Sequence, residues 1–191
     1  MNEKVKQIRT DALAAEYIYT VKLARVGWLT TCISVLTVIV PVLFSSVLLV
    51  SKGTEYEVLS NYISIGVSAV LLSLSVLSLI LQIDRKKGDY LIGRRSNIYV
   101  SSEALKVIDE KDDSKLIWFY NFLVEIDARD QENLGQVSLS LKQKAYRDSL
   151  MRLNPGKNDT VCSVCNASPF IFKRGNCQIC GNTPRSNNVS S

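Results

Sequence analysis

VGWLTTCISVLTVIVPVLFSSVLLVS, residues 26–51, and VLSNYISIGVSAVLLSLSVLSLILQI, residues 58–83, decide the architecture of this 191-residue chain. Neither stretch contains an Asp, Glu, Lys or Arg, and each is 26 residues long. A helix of about 20 residues crosses a hydrocarbon core of about 30 Å, so each stretch is long enough to span a bilayer. Within them Leu29–Val50 and Val58–Ile83 are dense in Leu, Ile and Val. Each such residue favours insertion by roughly 0.3–0.6 kcal/mol near the helix centre, enough together to outweigh the interspersed Ser and Thr. Two long charge-free runs joined by a short polar loop argue against the buried helices of a soluble core. A cleavable signal peptide fits poorly as well, because 25 charged and amphipathic residues precede the first run and a second span follows it.

The flanking charges set an orientation. Lys4, Lys6, Arg9, Lys22 and Arg25 precede the first span, and Arg85, Lys86, Lys87, Arg94 and Arg95 follow the second. The loop Ser51–Glu57 offers only Lys52, against Glu55 and Glu57. The positive-inside rule places both termini in the cytoplasm. Trp28 at the inner boundary, with Tyr56 and Tyr62 at the outer, suits an interfacial aromatic belt.

Outside the spans the chain reads as helical. Val5, Ile8, Ala12, Ala15 and Tyr19 recur at helical spacing over residues 3–25. That helix can run on into the first span, and its apolar face admits a solvated lead-in, an oligomer contact or a helix lying on the membrane. After the basic stretch Arg85–Arg95, helices are expected over Ser102–Glu110, Ser114–Asp130 and about Leu139–Leu153. Leu116, Phe119, Tyr120, Leu123 and Ile126 share a face that must pack on something. Asn154-Pro155-Gly156 is a stop signal.

Four of the five cysteines form Cys162-x2-Cys165-x11-Cys177-x2-Cys180. The x2 spacing lets two thiolates from one tight turn reach the same ion, and two such turns complete a tetrahedral site for one structural zinc. Gly181 follows the second pair, where a residue without a Cβ is often required. Phe170–Arg174 reads as a short strand before a turn at Gly175-Asn176, giving a small zinc ribbon. Disulfides would need an oxidising compartment, which the predicted topology denies; a C-x-x-C redox centre is the other alternative. Residues 151–191 carry five Lys or Arg against one Asp, an excess that suits a solvated or protein-contact surface, with nucleic acid or a membrane as further options.

The spans carry polar stripes. Ser60, Ser64, Ser68, Ser75, Ser78 and Gln82 fall within about 40° either side of one line on a 3.6-residue helix. Thr30, Ser34, Thr37, Pro41 and Ser45 form a matching stripe on the first span. Helix packing is one reading. The other is a water-filled path in an oligomer, with Ser64, Ser68, Ser75 and Gln82 as pore-lining candidates and Pro41 as a candidate hinge. The chain has no histidine, no phosphate-binding loop, no nucleophile elbow and no dinucleotide fingerprint, so enzymatic activity is not expected.

The expected organisation is mainly α and integral to the membrane. It comprises a cytoplasmic helix over residues 1–25, a transmembrane hairpin over 26–84 and a cytoplasmic helical region over 85–153. A zinc ribbon over 154–183 and a disordered tail over 184–191 complete it. The hairpin, the basic exit, the late helical segment Gln143-Lys144-Ala145-Tyr146-Arg147-Asp148-Ser149-Leu150 and the terminal cysteines resemble the SLATT-domain proteins. The likeness is to the branch carried on bacterial mobile elements and named for that cysteine spacing. It implies a membrane effector of a bacterial conflict or anti-phage system, alongside a nucleotide-signalling or reverse-transcriptase module. Such an effector would oligomerise in the inner membrane and permeabilise it on activation. The residues by themselves equally allow a non-conducting anchor or scaffold, because no ionisable side chain lies inside either span.

Overall fold

The computed structural model describes residues 2–110, 113–155 and 160–184. Its helices are α1 (Asn2–Ser51), α2 (Glu57–Ile80), α3 (Ile83–Glu110), α4 (Asp113–Leu134) and α5 (Leu139–Leu153). The expected disordered tail falls, beyond Pro184, outside the described residues.

Several boundaries differ from the sequence expectation, and α4 runs four residues past the expected Asp130 to Leu134. The second apolar helix stops at Ile80 rather than continuing to Ile83. Gln82 adopts a left-handed φ of 49°, its N–H bonds back to the Leu79 carbonyl at 3.1 Å, and α3 begins one residue later. The basic exit is not a separate segment either, since α3 carries Arg85–Arg95 and Ser102–Glu110 in one helix. Gly88 and Gly93 are the weakest helix formers in this stretch, costing about 1 kcal/mol each, and tertiary packing overrides that.

The chain divides into two compact units, residues 1–22 with 89–191, and residues 23–88. In the first, Val5 and Ala12 of α1, Val100, Ala104 and Val107 of α3, and Phe119 and Ile126 of α4 form one core. Ile8, Leu116, Phe122 and Leu123 pack against its edge. Val5, Ile8 and Ala12 of the N-terminal segment's apolar face therefore pack against the chain's own α3 and α4. The shared face on α4 packs here as expected, with Phe119 fully buried.

Polar contacts fix how these helices meet. Glu16 is 7 % exposed and faces Arg152 of α5 at 2.7 Å and Arg94 of α3 at 3.9 Å. Tyr19, fully buried, donates its hydroxyl to Asp130 Oδ1 at 2.7 Å. Asn97 donates to Asp130 Oδ2 at 2.8 Å, so one α4 carboxylate ties α1 to α3. Burial pushes the Asp130 carboxyl above its ordinary value, against the lowering effect of those two hydrogen bonds.

Gly93 makes room for the Tyr19 ring: a Cβ there would lie 2.3 Å from Tyr19 Cζ. Gly93→Ala gains about 1 kcal/mol of helix propensity, but overpacking a filled site costs about 1–3 kcal/mol. The expected result is a net loss of stability in denaturant unfolding. Unchanged or increased stability would mean that the Tyr19 ring moves aside at no cost.

The second unit inverts the usual partition of side chains. Both of its helices are long and apolar enough to cross a membrane, and none of either 18-residue apolar window is buried. Leu49, Val50 and Leu79 are 77–82 % exposed. The inward positions on α2 are instead Ser60, Ser64, Val67, Leu71, Ser75 and Ser78, with Thr30, Ile33, Val40 and Phe44 on α1. α1 continues through Pro41 as one helix, although proline removes the N–H that Thr37 O would accept.

Candidate metal centre

The four clustered cysteines sit on two turns of the same design. In the first, Cys162 N–H bonds to Ala167 O at 3.0 Å and Asn166 N–H to Cys162 O at 2.9 Å. In the second, Cys177 N–H bonds to Asn182 O at 3.2 Å and Gly181 N–H to Cys177 O at 2.8 Å. The residue after each second cysteine is left-handed, Asn166 with φ 54° and Gly181 with φ 72°. Asn and Gly are the residues that tolerate this conformation. Gly181 has a second constraint, because a Cβ there would lie 2.7 Å from Gln143 Oε1.

Asn182 joins the two turns. Its side chain is buried, accepts from Lys173 N–H at 3.0 Å and donates to Ser168 O at 3.0 Å. The strand expected over Phe170–Arg174 does not form. Among the described residues pairing is limited to one isolated antiparallel bridge, Arg174 with Asn182. The Lys173 N–H is taken by the Asn182 side chain rather than by a neighbouring backbone, and Phe170, Ile171 and Phe172 are exposed, so no packed face supports a ribbon. The module is a pair of cysteine knuckles rather than a sheet.

All four thiols are free and buried, and their sulfurs lie within 4.8 Å of one another. Cys165 Sγ and Cys180 Sγ are 3.4 Å apart, well beyond the S–S bond length of about 2.05 Å. A tetrahedral ion with Zn–S bonds of about 2.3 Å separates its sulfurs by about 3.8 Å, so the observed spacing fits a four-thiolate site. Burial opposes ionisation across the cluster. At Cys177 the N–H groups of Cys180 and Ile179 outweigh it and bring the thiol to about 7. At Cys165 and Cys180 burial prevails and the thiols stay above their ordinary value. Four sulfurs this close together could hold one metal ion, which would favour the thiolate form of each.

Helix α5 holds the knuckles from outside. Gln143 Nε2 donates to Cys177 O at 3.1 Å, Arg147 Nη1 donates to Cys180 O, and Tyr146 packs on the cysteine cluster. These three share a helix face through i, i+3 and i+4 spacing. Sequence reasoning marked the segment only by family likeness; the signal available was a polar face on a helix just before the cysteines.

The remaining candidates are dispersed. Ser64 and Ser75 occupy the half-buried seam of the second unit, whereas Ser68 is exposed. Gln82 lies in the turn after α2, where its Oε1 accepts from Arg85. Ser75 and Gln82 do meet, with Ser78 and Ile33, in one cleft. Cys32 stands alone and half-buried on α1.

Fold and site together define a mainly helical protein with two membrane-length apolar helices and a four-cysteine cluster able to hold a metal ion. The chain belongs to the mobilome CxxCx(11)CxxC protein family, whose model matches residues 2–183. No curated protein and no solved structure matches it.

Proposed function

We propose that this chain is a two-span protein of the bacterial inner membrane that acts as an effector in a conflict or anti-phage system. On activation it oligomerises and permeabilises the membrane. The observation that carries the membrane assignment is the exposed aliphatic surface of both apolar helices, neither of whose 18-residue apolar windows has a buried residue. A soluble protein rarely leaves a contiguous apolar patch beyond a few hundred Å² uncovered; lipid is the occupant of matching chemistry. The hairpin topology draws support from the first unit, because Val5 and Ala12 share a core with Phe119 and Ile126. The segments before and after the apolar pair must then lie on one side of any membrane, and the Lys and Arg balance makes that side the cytoplasm. The four-cysteine site holds one structural zinc in that reducing compartment. Permeabilisation rests on the likeness to SLATT-domain effectors, as does a nucleotide-signalling or reverse-transcriptase partner.

A second reading, a non-conducting anchor that recruits a partner, is favoured by the seam. Ser60, Ser64, Ser75 and Ser78 turn inward in the isolated unit, which is what helix packing requires. Ser68, by contrast, is exposed and free to face a lumen between copies.

Cytoplasmic reporters fused at either terminus should be active and a periplasmic reporter only within Ser51–Glu57. Expression should depolarise cells. Ser68→Leu, which narrows and dries a lumen, should abolish depolarisation while insertion and oligomer size stay unchanged; the same change at Ser73 should do little. Intact Ser68→Leu oligomers that still depolarise would refute the pore-lining role. A wild-type chain that inserts yet never conducts would establish the anchor.

A further inference from the structure

The metal knuckles expose an apolar tip. Phe170, Ile171 and Phe172 are 40, 66 and 53 % exposed, followed by exposed Lys173 and Arg174. The knuckles have two further exposed apolar residues at equivalent places, Val164 before Cys165 and Ile179 before Cys180, at 64 and 42 %. Residues 160–184 contain Lys173 and Arg174 and no Asp or Glu. The tip is also held in shape. Lys173 N–H is fixed by Asn182, Thr183 N–H bonds Lys173 O at 2.8 Å, and the Arg147 guanidinium lies 4.0 Å from the centroid of the Phe172 ring. The ordered loop thus presents a small apolar face, Phe170, Ile171 and Phe172, beside two cations.

We propose that Phe170-Ile171-Phe172-Lys173-Arg174 docks the metal module onto an anionic lipid surface. The three apolar side chains enter the headgroup boundary, and Lys173 and Arg174 pair with lipid phosphates. Charge complementarity selects lipid over a protein partner: the exposed charges at the tip are Lys173 and Arg174, the four sulfurs of the metal centre are buried behind them, and aromatic residues flanked by cations are what an anionic interface attracts. The proposal rests on the membrane reading above, which supplies the bilayer. Docking then ties the metal centre to lipid composition, since each basic residue strengthens attachment to an anionic surface by about fivefold.

The test uses the full-length chain in nanodiscs of phosphatidylcholine alone or mixed with phosphatidylglycerol, the lipids carrying brominated tails that quench tryptophan. One variant keeps Trp28 as its single tryptophan (Trp118→Phe) and reports insertion. A second (Trp28→Phe, Trp118→Phe, Ile171→Trp) carries its single indole at the tip and reports docking. Trp28 should be quenched in both lipids. The tip indole should be quenched and blue-shifted in the anionic discs and several-fold less in the neutral ones. Adding Lys173→Glu with Arg174→Glu should remove that difference while bound metal is retained, which shows that the module is folded. A tip indole left unquenched in anionic discs, with Trp28 quenched, overturns docking and leaves insertion standing. Crosslinking of the tip to another protein alongside that result assigns the face to a protein partner. Trp28 unquenched in both lipids overturns the membrane reading and docking with it.

Discussion

Cys162→Ser combined with Cys177→Ser should abolish metal binding and unfold residues 160–184, while the two apolar helices and the α1–α3–α4 core persist. The expected effect is the largest in the molecule because the module has little else to hold it. Its buried cluster consists of the four cysteines and Ala167, with Tyr146 at the edge, and a segment this short cannot sustain a fold on apolar burial alone. Structural zinc supplies about 10–16 kcal/mol at neutral pH in comparable peptides. The wild type should carry about one zinc per chain, measured by elemental analysis of reduced protein. A chelator should release it together with loss of amide protection over 160–184. Acidification should act in the same direction, because protons compete for all four thiolates. Reduced, metal-free protein with full protection in this segment would overturn the assignment.

Phe119→Ala is the second large effect. The ring is wholly buried where α1, α3 and α4 meet, and truncation of such a phenylalanine costs about 3–5 kcal/mol. That is a large share of the roughly 5–15 kcal/mol by which a domain is stable. Because Val5 and Ala12 belong to the same core, the loss should appear as faster hydrogen exchange in the N-terminal part of α1 as well as in α4. Exchange confined to α4 would show that the first residues of the chain are held independently of the C-terminal body.

Much of this architecture was legible because its signals are local. A charge-free run of 26 residues needs no partner to be recognised as a membrane-length helix. Two C-x2-C pairs state their own geometry through the reach of one turn, and the helix Leu139–Leu153 matches α5 as read. The strand over Phe170–Arg174 failed for a reason no local pattern shows: the Asn182 side chain takes the Lys173 N–H, and Phe170, Ile171 and Phe172 find no face to pack on.

What the sequence by itself determined is therefore the set of elements and the ligand set: apolar helices, helical flanks and four thiols at metal spacing. Tertiary structure alone decided which faces meet. It covered the N-terminal helix with α3 and α4 through Val5, Ala12 and Tyr19. It set Gln143, Tyr146 and Arg147 beside the knuckles, and it separated Ser68 from the inward serines of its own stripe. Periodicity gives the direction of a side chain on its own helix, but pairing depends on packing between residues such as Tyr19 and Asp130, 111 positions apart, and no local pattern encodes that.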